Sequence, residues 1–188
     1  MADALTGLEV PELHRARWLA DIGAGAGFPG LVLAVALPRA KVDLIESAGR
    51  KSAVADRLMQ AAELDNARSI TTRAEDWAKG PPPVGGRESY DVVTARAVDR
   101  LVVLAEYASP LLRRDGVLVA WKGAREQTEE DEAEAAAERL AMKLEEVRRV
   151  KPFAGAEHRH LAVLRKVAPT PAGLPRRAGM ARKRRTPR

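Results

Sequence analysis

Four glycines lie within one short segment of this chain, ADIGAGAGFPG at residues 20–30. Apolar residues flank the segment on both sides, so the glycines occupy a turn between two ordered elements. Because glycine tolerates positive φ and has no side chain, a ligand can lie directly against the backbone of such a turn. The part GAGFPG matches the G-x-G-x-x-G pattern, which is a weak signal for nucleotide-type ligands when it stands alone.

Two ligand classes use such a turn: dinucleotides, through their pyrophosphate, and S-adenosylmethionine, through its amino acid and ribose. Asp21 lies just before Gly23. A carboxylate there repels a pyrophosphate but can receive an ammonium group, directly or through water. The G-x-G-x-G spacing, which includes Gly25 and Gly27, packs the backbone more tightly than phosphate binding needs. Both features favour S-adenosylmethionine as the cofactor.

A second carboxylate, Glu46, ends the next apolar segment, 23 residues after Gly23. A carboxylate at this place can accept hydrogen bonds from both hydroxyls of a ribose. Nicotinamide-dependent enzymes use the same contact, so Glu46 does not separate the two ligand classes.

Five apolar segments, each followed by a helical or loop segment, must position these residues. They are RWLADI (17–22), KVDLIE (41–46), RSITTR (68–73), YDVVTA (90–95) and GVLVAWK (116–122). Hydrophobic periodicity predicts helices at 29–37, 49–66 and 101–112 and a long acidic helix at 126–144, which we expect to be a solvated face pointing away from RNA. LEEVRRVK (144–151) and HLAVLRK (160–166) are close enough to form an antiparallel hairpin.

Alternation of strands and helices predicts an α/β fold with a mostly parallel sheet. Seven strands with an antiparallel final strand are typical of the Rossmann-like S-adenosylmethionine-dependent methyltransferase fold. Ligands of such sheets bind beyond the carboxyl ends of the strands, where the glycine turn lies.

Composition and charge set further limits. The 188 residues include no cysteine, which excludes disulfides, thiolate metal sites and a cysteine nucleophile. We see no apolar run long enough to span a membrane and no signal peptide, and we expect a cytoplasmic protein. The net charge is +6, and residues 176–188 hold seven basic residues and no acidic one. We expect a methyltransferase domain at 1–167 and a basic, flexible tail at 168–188, either merely solvated or in contact with nucleic-acid phosphates.

Several later motifs occur in a recognisable order. DIGAGAGFPG, LIESAGRK, TTRAEDW, VTARAV, WKG, EHRHL and PRRAGMARKRR follow one another along the chain. In order and spacing they resemble the small-subunit (16S) ribosomal RNA guanine-N7 methyltransferases of the RsmG or GidB type, from about Leu19 to the C-terminus. That family carries an N-terminal helical segment of several dozen residues, and we expect a shortened form of it here.

The resemblance implies particular cofactor contacts. They fall on Gly23 and Phe28 in the turn, on Ala74 and Glu75 after the third strand, and on Arg96 after the fourth. An arginine at the carboxyl end of a central strand is costly to bury unless it is paired, and Arg96 can reach the methionine carboxylate or an RNA phosphate.

The resemblance also implies methyl transfer from S-adenosylmethionine to N7 of a guanine in small-subunit ribosomal RNA. Guanine N7 has a free lone pair and no proton to lose, so we expect no general base and positioning by Arg96 and Lys122. The expected partner is small-subunit ribosomal RNA or the small ribosomal subunit, with no metal, no membrane and a monomeric enzyme. The expected RNA contacts are Lys122, Arg176, Arg177, Arg182, Lys183, Arg184 and Arg185.

Three alternatives stay open at this stage. One is a methyltransferase of another substrate, and a second is a nicotinamide oxidoreductase, which Asp21 disfavours. The third is a truncated, inactive RNA-binding remnant. His158 and His160 are two residues apart, but no third ligand accompanies them, so a metal site is not expected.

Overall fold

Seven strands form one sheet in the computed structural model of this chain, which describes residues 1–183. The strands are β1 (Trp18–Ile22), β2 (Lys41–Ile45), β3 (Ala67–Ile70), β4 (Tyr90–Arg96), β5 (Leu112–Lys122), β6 (Met142–Arg149) and β7 (His160–Lys166). Their order across the sheet is β3-β2-β1-β4-β5-β7-β6. The first five pair in parallel, and β7 runs antiparallel to both β5 and β6. This confirms the predicted seven-stranded sheet with its antiparallel final strand.

Helices cover both faces of the sheet. They are α1 (Ala2–Leu5), α2 (Pro11–Arg15), α3 (Gly30–Ala36), α4 (Gly49–Ala61), α5 (Ala74–Trp77), α6 (Leu101–Ala108), α7 (Gln127–Ala135) and α8 (Ala137–Leu140), with a 3-10 turn at Thr6–Glu9.

Buried residues of the central strands alternate between the two faces. In β5, Leu118 and Ala120 belong to the apolar cluster that includes α6, whereas Val117 and Val119 belong to the cluster that includes α3. Successive side chains of a strand point to opposite faces, so a run of apolar residues is the pattern of a strand covered on both sides. Each fully buried aliphatic side chain contributes about 1.5–3 kcal/mol of transfer free energy.

The predicted acidic helix at 126–144 is shorter in the structure and divided in two. Ala141 has φ 53° and ends α8 in the left-handed region. Strand β6 begins at the next residue, Met142, which is buried. The helix prediction fails at this end because the acidic and alanine-rich composition hides the alternation that starts at Met142.

The C-terminal segment lies against the domain as far as it is described. Thr170 N donates to Glu88 Oε1 at 2.8 Å, and Gly179 N donates to Glu75 Oε1 at 2.7 Å. Ala181 is buried. The described part of the expected tail, residues 168–183, therefore contacts the domain through Glu88, which is 41% exposed, and through Glu75, which is buried.

Candidate functional site

The glycine turn joins the carboxyl end of β1 to α3, as predicted. Gly23, Gly25 and Gly27 have φ of 66°, 60° and 102°. A Cβ added to Gly25 would have a single neighbour within 4 Å, the carbonyl oxygen of Gly23 at 4.0 Å. Gly25 therefore presents bare backbone to open space, which is the geometry that a closely approaching ligand needs.

Gly30 has a different purpose from the other three. A Cβ there would lie 2.2 Å from Leu44 Cδ2 and 2.9 Å from Asp21 Oδ2. Its absence lets α3 lie close against β1 and β2. The Gly30 amide, at the start of α3, donates to Asp21 Oδ2 at 2.8 Å, so this amide is used inside the protein and does not face a ligand.

Asp21, expected to receive a ligand's ammonium group directly or through water, is fully buried in the structure, and both of its carboxylate oxygens have partners inside the protein. One carboxylate oxygen accepts from Gly30 N, and the other accepts from Thr94 Oγ1 at 2.9 Å. Burial raises the pKa of Asp21 to about 7, although both hydrogen bonds and the charge of Arg96 act in the opposite direction. Asp21 joins the turn, α3 and β4, and so positions the glycines from behind.

Glu46 follows β2 and lies beside the open side of the turn. Its Oε2 accepts from Gly25 N at 3.0 Å, and its Oε1 accepts from Ala48 N at 2.8 Å. Ser47 Oγ donates to Oε1 at 3.5 Å as a third, longer contact, and because a carboxylate has about four lone-pair sites, Oε2 can still accept from a further donor. The side chain is 9% exposed, which leaves it fixed in place yet reachable from the cleft.

The remaining predicted cofactor residues surround the same edge of the sheet. Phe28 is half-buried before α3, and Ala74 is half-buried at the start of α5. Glu75 is 6% exposed and accepts from Gly179 N. The C-terminal segment therefore touches a residue that the resemblance assigns to the cofactor, a contact that the sequence did not indicate.

Arg96 ends β4 and lines a cavity of about 350 Å³ beyond the carboxyl ends of β4 and β5. Its side chain is 34% exposed, and Arg96 Nη1 lies 3.4 Å from Asp3 Oδ2. Asp3 was not predicted as a site residue. It reaches the cavity because Trp121 Nε1, on β5, donates to the main-chain oxygen of Asp3 at 2.8 Å. No sequence signal marks this contact, since the two residues are 118 positions apart.

Lys122, which was expected to contact RNA, has an ionic partner within the protein. Its Nζ lies 2.6 Å from Glu129 Oε1 and donates to Asp99 O at 3.1 Å, and its side chain is 21% exposed. Glu129 belongs to α7, which was expected to point away from this region. The helix instead borders a second cavity, of about 670 Å³, together with Lys122 and Arg182.

The basic residues of the C-terminal segment fall into two groups. Arg176 Nη2 donates to Glu106 Oε2 at 2.7 Å, and with side-chain exposures of 19% and 5% this pair is an internal anchor. Its predicted RNA contact is wrong for this arrangement because the guanidinium is already occupied. Arg182 pairs with Asp99 at 2.6 Å but is 59% exposed.

Arg177 and Lys183 are exposed, and among residues 1–183 neither side chain has an ionic partner. Arg184 and Arg185, also predicted to contact RNA, lie outside the described residues. Within the described part, no group of three potential ligands could hold a metal ion, and no helix there is long and apolar enough to cross a membrane.

Comparison with known proteins identifies relatives along most of the chain. Residues 1–162 match the sequence model of the GidB family, described as rRNA small subunit methyltransferase G. The ribosomal RNA small subunit methyltransferase G of Desulfitobacterium hafniense is 38% identical over 172 residues, which cover 92% of this chain and 71% of that protein. The protein of the same name from Bacillus subtilis is 33% identical over 181 residues, with 96% and 74% covered.

Solved structures are similar in fold at low sequence identity. Geranyl diphosphate C-methyltransferase from Streptomyces coelicolor, in complex with S-adenosyl-L-homocysteine, has a TM-score of 0.65 and 13% identity, covering 87% of this chain and 79% of that one. A putative transferase from Pyrococcus horikoshii has a TM-score of 0.65 and 16% identity, covering 86% and 63%. The extent and identity of the sequence matches place this chain in the GidB family of small-subunit ribosomal RNA methyltransferases.

Proposed function

We propose that this chain transfers a methyl group from S-adenosylmethionine to N7 of one guanine in small-subunit ribosomal RNA. The family supports the cofactor and the RNA class. The observation that carries the proposal is the open side of Gly25 beside Glu46, at the same sheet edge as the cavity of Arg96. That edge offers a cofactor place and a substrate place next to each other.

The residues present fit S-adenosylmethionine. Gly25 leaves space for a ligand against the backbone, and the remaining lone-pair capacity of Glu46 Oε2 can accept from a ribose hydroxyl. Gly23, Gly27 and Phe28 complete the turn, and Ala74 and Glu75 border the adenine side. Asp21 acts only through the turn that it positions. When bound, the cofactor supplies an electrophilic methyl group on a positively charged sulfur.

The proposed reaction needs no general acid and no general base from this chain. As N7 donates its lone pair to the methyl carbon, the carbon–sulfur bond breaks and its electron pair stays on sulfur, while the guanine takes up the positive charge. No proton moves. The chain has to hold N7 and the methyl group in line at roughly 3 Å, a positioning effect worth several kcal/mol. We assign this positioning to the cavity that Arg96 lines, with Lys122 fixing its β5 wall.

The RNA backbone is proposed to lie along the C-terminal segment. Arg177 and Lys183 are free to meet phosphates, and Arg182 can exchange its exposed pairing with Asp99 for a phosphate. Arg184 and Arg185 continue the same basic run. The substrate is ribosomal RNA or the assembled small subunit, and we expect a monomeric enzyme that works in the cytoplasm.

The experiment that tests this proposal maps N7-methylguanosine in small-subunit ribosomal RNA from cells with and without the gene. We expect one modified guanine to disappear on deletion and to return when the wild-type gene is restored. An unchanged modification pattern would contradict the proposal, and loss of a methyl group from another atom would leave a methyltransferase of different chemistry.

The variant Arg96→Ala tests whether Arg96 belongs to the substrate site. Arg96 borders the cavity and is only loosely paired with Asp3 at 3.4 Å, so we expect the variant to fold. Turnover of the purified variant should fall about tenfold or more because substrate positioning is lost. Near-normal turnover would remove Arg96 from the site while leaving the overall function in place.

A further inference from the structure

Asp3 has an unsatisfied carboxylate oxygen inside the cavity region. Asp3 Oδ1 is inaccessible to solvent and is without a hydrogen-bond partner among the described residues. Arg159 Nε is 4.0 Å from Oδ1, which is too far for a hydrogen bond. Buried polar groups are nearly always paired, because an unpaired charged oxygen is costly. An unpaired carboxylate beside a cavity therefore indicates a place for a donor that arrives from outside.

The cavity has room for that donor. Its volume of about 350 Å³ lies in the range of ligand pockets and exceeds what a single water needs. Asp3, Arg96, Trp121 and Arg159 all line it. Arg159 is 46% exposed and its Nε lies 4.0 Å from Oδ1, so its side chain can move aside without breaking a buried contact.

The geometry of the proposed reaction defines which edge of a guanine faces the cavity wall. N7 has to point toward the methyl group, and N1–H and the N2 amino group lie on the far side of the purine. These two groups are donors side by side, and a carboxylate is an acceptor-only group with two oxygens. Adenine has an acceptor at N1 and no amino group at C2, so the same carboxylate would reject it.

We propose that Asp3 is a specificity-determining residue that accepts hydrogen bonds from N1–H and N2–H of the target guanine. This inference rests on the proposed function and names how its substrate base is recognised. Entry of the base displaces Arg159 from above Oδ1 and satisfies the oxygen that is unpaired without substrate. The carboxylate also faces the base that gains positive charge as N7 is methylated, which favours the product side electrostatically.

The position of Asp3 does not depend on its side chain. Trp121 Nε1 donates to the main-chain oxygen of Asp3, and Thr6 Oγ1 donates to the same oxygen at 2.7 Å. Asp3→Asn keeps both contacts and nearly the same shape. The substitution replaces one carboxylate oxygen, an acceptor, with an amide NH2 group, a donor. That group cannot accept a hydrogen bond from N1–H or N2–H of guanine. A loss of guanine recognition in this variant is therefore separable from a loss of the local fold.

The test uses small-subunit ribosomal RNA carrying inosine in place of the methylated guanosine, prepared by ligation. Inosine retains N7 and N1–H but lacks the N2 amino group. We expect the wild-type protein to prefer guanosine to inosine by about tenfold in kcat/KM, since the site would leave one carboxylate oxygen unpaired with inosine. In Asp3→Asn, kcat/KM for guanosine should fall about tenfold or more, and the preference should fall to about twofold or less.

Controls separate this inference from the function on which it rests. Asp56→Asn, at an exposed position of α4, makes the same chemical change away from the cavity and should behave as wild type. Calorimetric affinity for S-adenosylhomocysteine should be unchanged in Asp3→Asn. If the wild-type protein methylates guanosine and inosine equally, or if Asp3→Asn keeps the preference, the inference is overturned and the function stands. If the wild-type protein methylates neither RNA, the proposed function itself fails.

Discussion

Gly25 and Glu46 form the smallest unit on which the proposed cofactor site depends. The Gly25 amide donates to Glu46, and the α-carbon of Gly25 faces open space. The Glu46 carboxylate therefore fixes the turn and also borders the proposed cofactor site. A methyl group added at Gly25 would occupy that place without touching the rest of the protein.

We predict that Gly25→Ala lowers the affinity for S-adenosylhomocysteine about tenfold or more, equivalent to about 1.4 kcal/mol. The backbone conformation, with φ 60°, adds a stability cost of about 1–2 kcal/mol for a residue with a side chain. Gly173→Ala is the matched control, since Gly173 has φ 90° and nothing within 4 Å of its added Cβ. Calorimetry should show an affinity loss only for Gly25→Ala, and equal losses would mean that strain alone is being measured.

Asp21 gives a prediction about pH. Its pKa is raised from 3.8 to about 7 in the folded protein, whereas the unfolded chain ionises near the ordinary value. Between about pH 4 and pH 7 the folded state therefore binds more protons than the unfolded state. The contribution to stability is complete below this window and is lost as pH rises through it, by up to about 1.4 kcal/mol per pH unit.

Asp21→Asn has no proton to lose, so its stability should lack this dependence. Urea unfolding at pH 5, 6 and 7 should show wild type losing stability relative to Asp21→Asn by about 1 kcal/mol per pH unit. Asp56→Asn, at an exposed position, should follow the wild-type curve. Parallel curves for wild type and Asp21→Asn would show that Asp21 is ionised in the folded protein over the whole range.

The positions of the candidate residues along the strands could be predicted from the sequence, whereas their partners could not. The order of glycines and carboxylates placed Gly25 and Glu46 correctly at neighbouring strand ends. The same reasoning put Asp21 in contact with the ligand, because neither Thr94 nor the Gly30 amide is visible as its partner until β4 and α3 are folded against it. Asp3 was missed altogether, since only its contact with Trp121 brings it to the cavity.

Acidic side chains on the helices decide which cations of the chain are available. Glu129 on α7 neutralises Lys122, and Glu106 on α6 holds Arg176. Composition alone describes α7 as a solvated acidic face and residues 176–183 as a basic tail. Both descriptions omit these ion pairs for the same physical reason. Ion pairs between elements depend on which faces meet after folding, and a count of charges along one segment does not contain that information.

The Arg176–Glu106 pair should anchor the C-terminal segment with a measurable free energy. We expect Arg176→Met to cost about 2 kcal/mol, because Glu106 is 5% exposed and its remaining ionic partner among residues 1–183 is Arg139, at 3.7 Å. The double variant Arg176→Met/Glu106→Leu should be more stable than the single variant, since no buried charge is left without its partner. Urea unfolding measures both values.

An ion pair whose arginine is exposed, although its carboxylate is only 11% exposed, is the control for this cycle. Arg113 is 62% exposed and pairs with Asp91 at 2.7 Å, so Arg113→Met should cost less than about 1 kcal/mol. Equal costs at Arg176 and Arg113 would show that the C-terminal segment is not anchored by the buried carboxylate.

The sheet as a whole follows from the sequence more closely than any single contact. All seven predicted strands are present, because runs such as YDVVTA and GVLVAWK have the continuous apolar character of strands buried on both faces. The first or last residue of some strands differs from the predicted one, because turns and irregular pairing determine where a strand begins and ends. Strand β5 begins at Leu112, and its pairing with β4 is irregular between Tyr90 and Val92. Apolar burial fixes the presence of a strand, whereas the turn geometry fixes its ends.

Charge on the two edges of the sheet should affect RNA binding differently. Arg177 and Lys183 belong to the segment that runs along the carboxyl edge, and replacing both with alanine should reduce the log–log salt slope of RNA binding by about 1.4. Arg39→Ala/Lys41→Ala removes two exposed charges at the amino end of β2 and should leave the slope unchanged. Filter binding at several salt concentrations measures both. Equal reductions would mean that the protein binds RNA without a preferred edge.

The most direct test of the account is transfer of a deuterated methyl group from S-adenosylmethionine to unmethylated small ribosomal subunits by the purified protein. Mass spectrometry of the digested RNA locates the label. We predict one labelled nucleoside, 7-methylguanosine, from a single position in the RNA. Label on another atom or base, or no label from a protein that binds S-adenosylhomocysteine, would contradict the account.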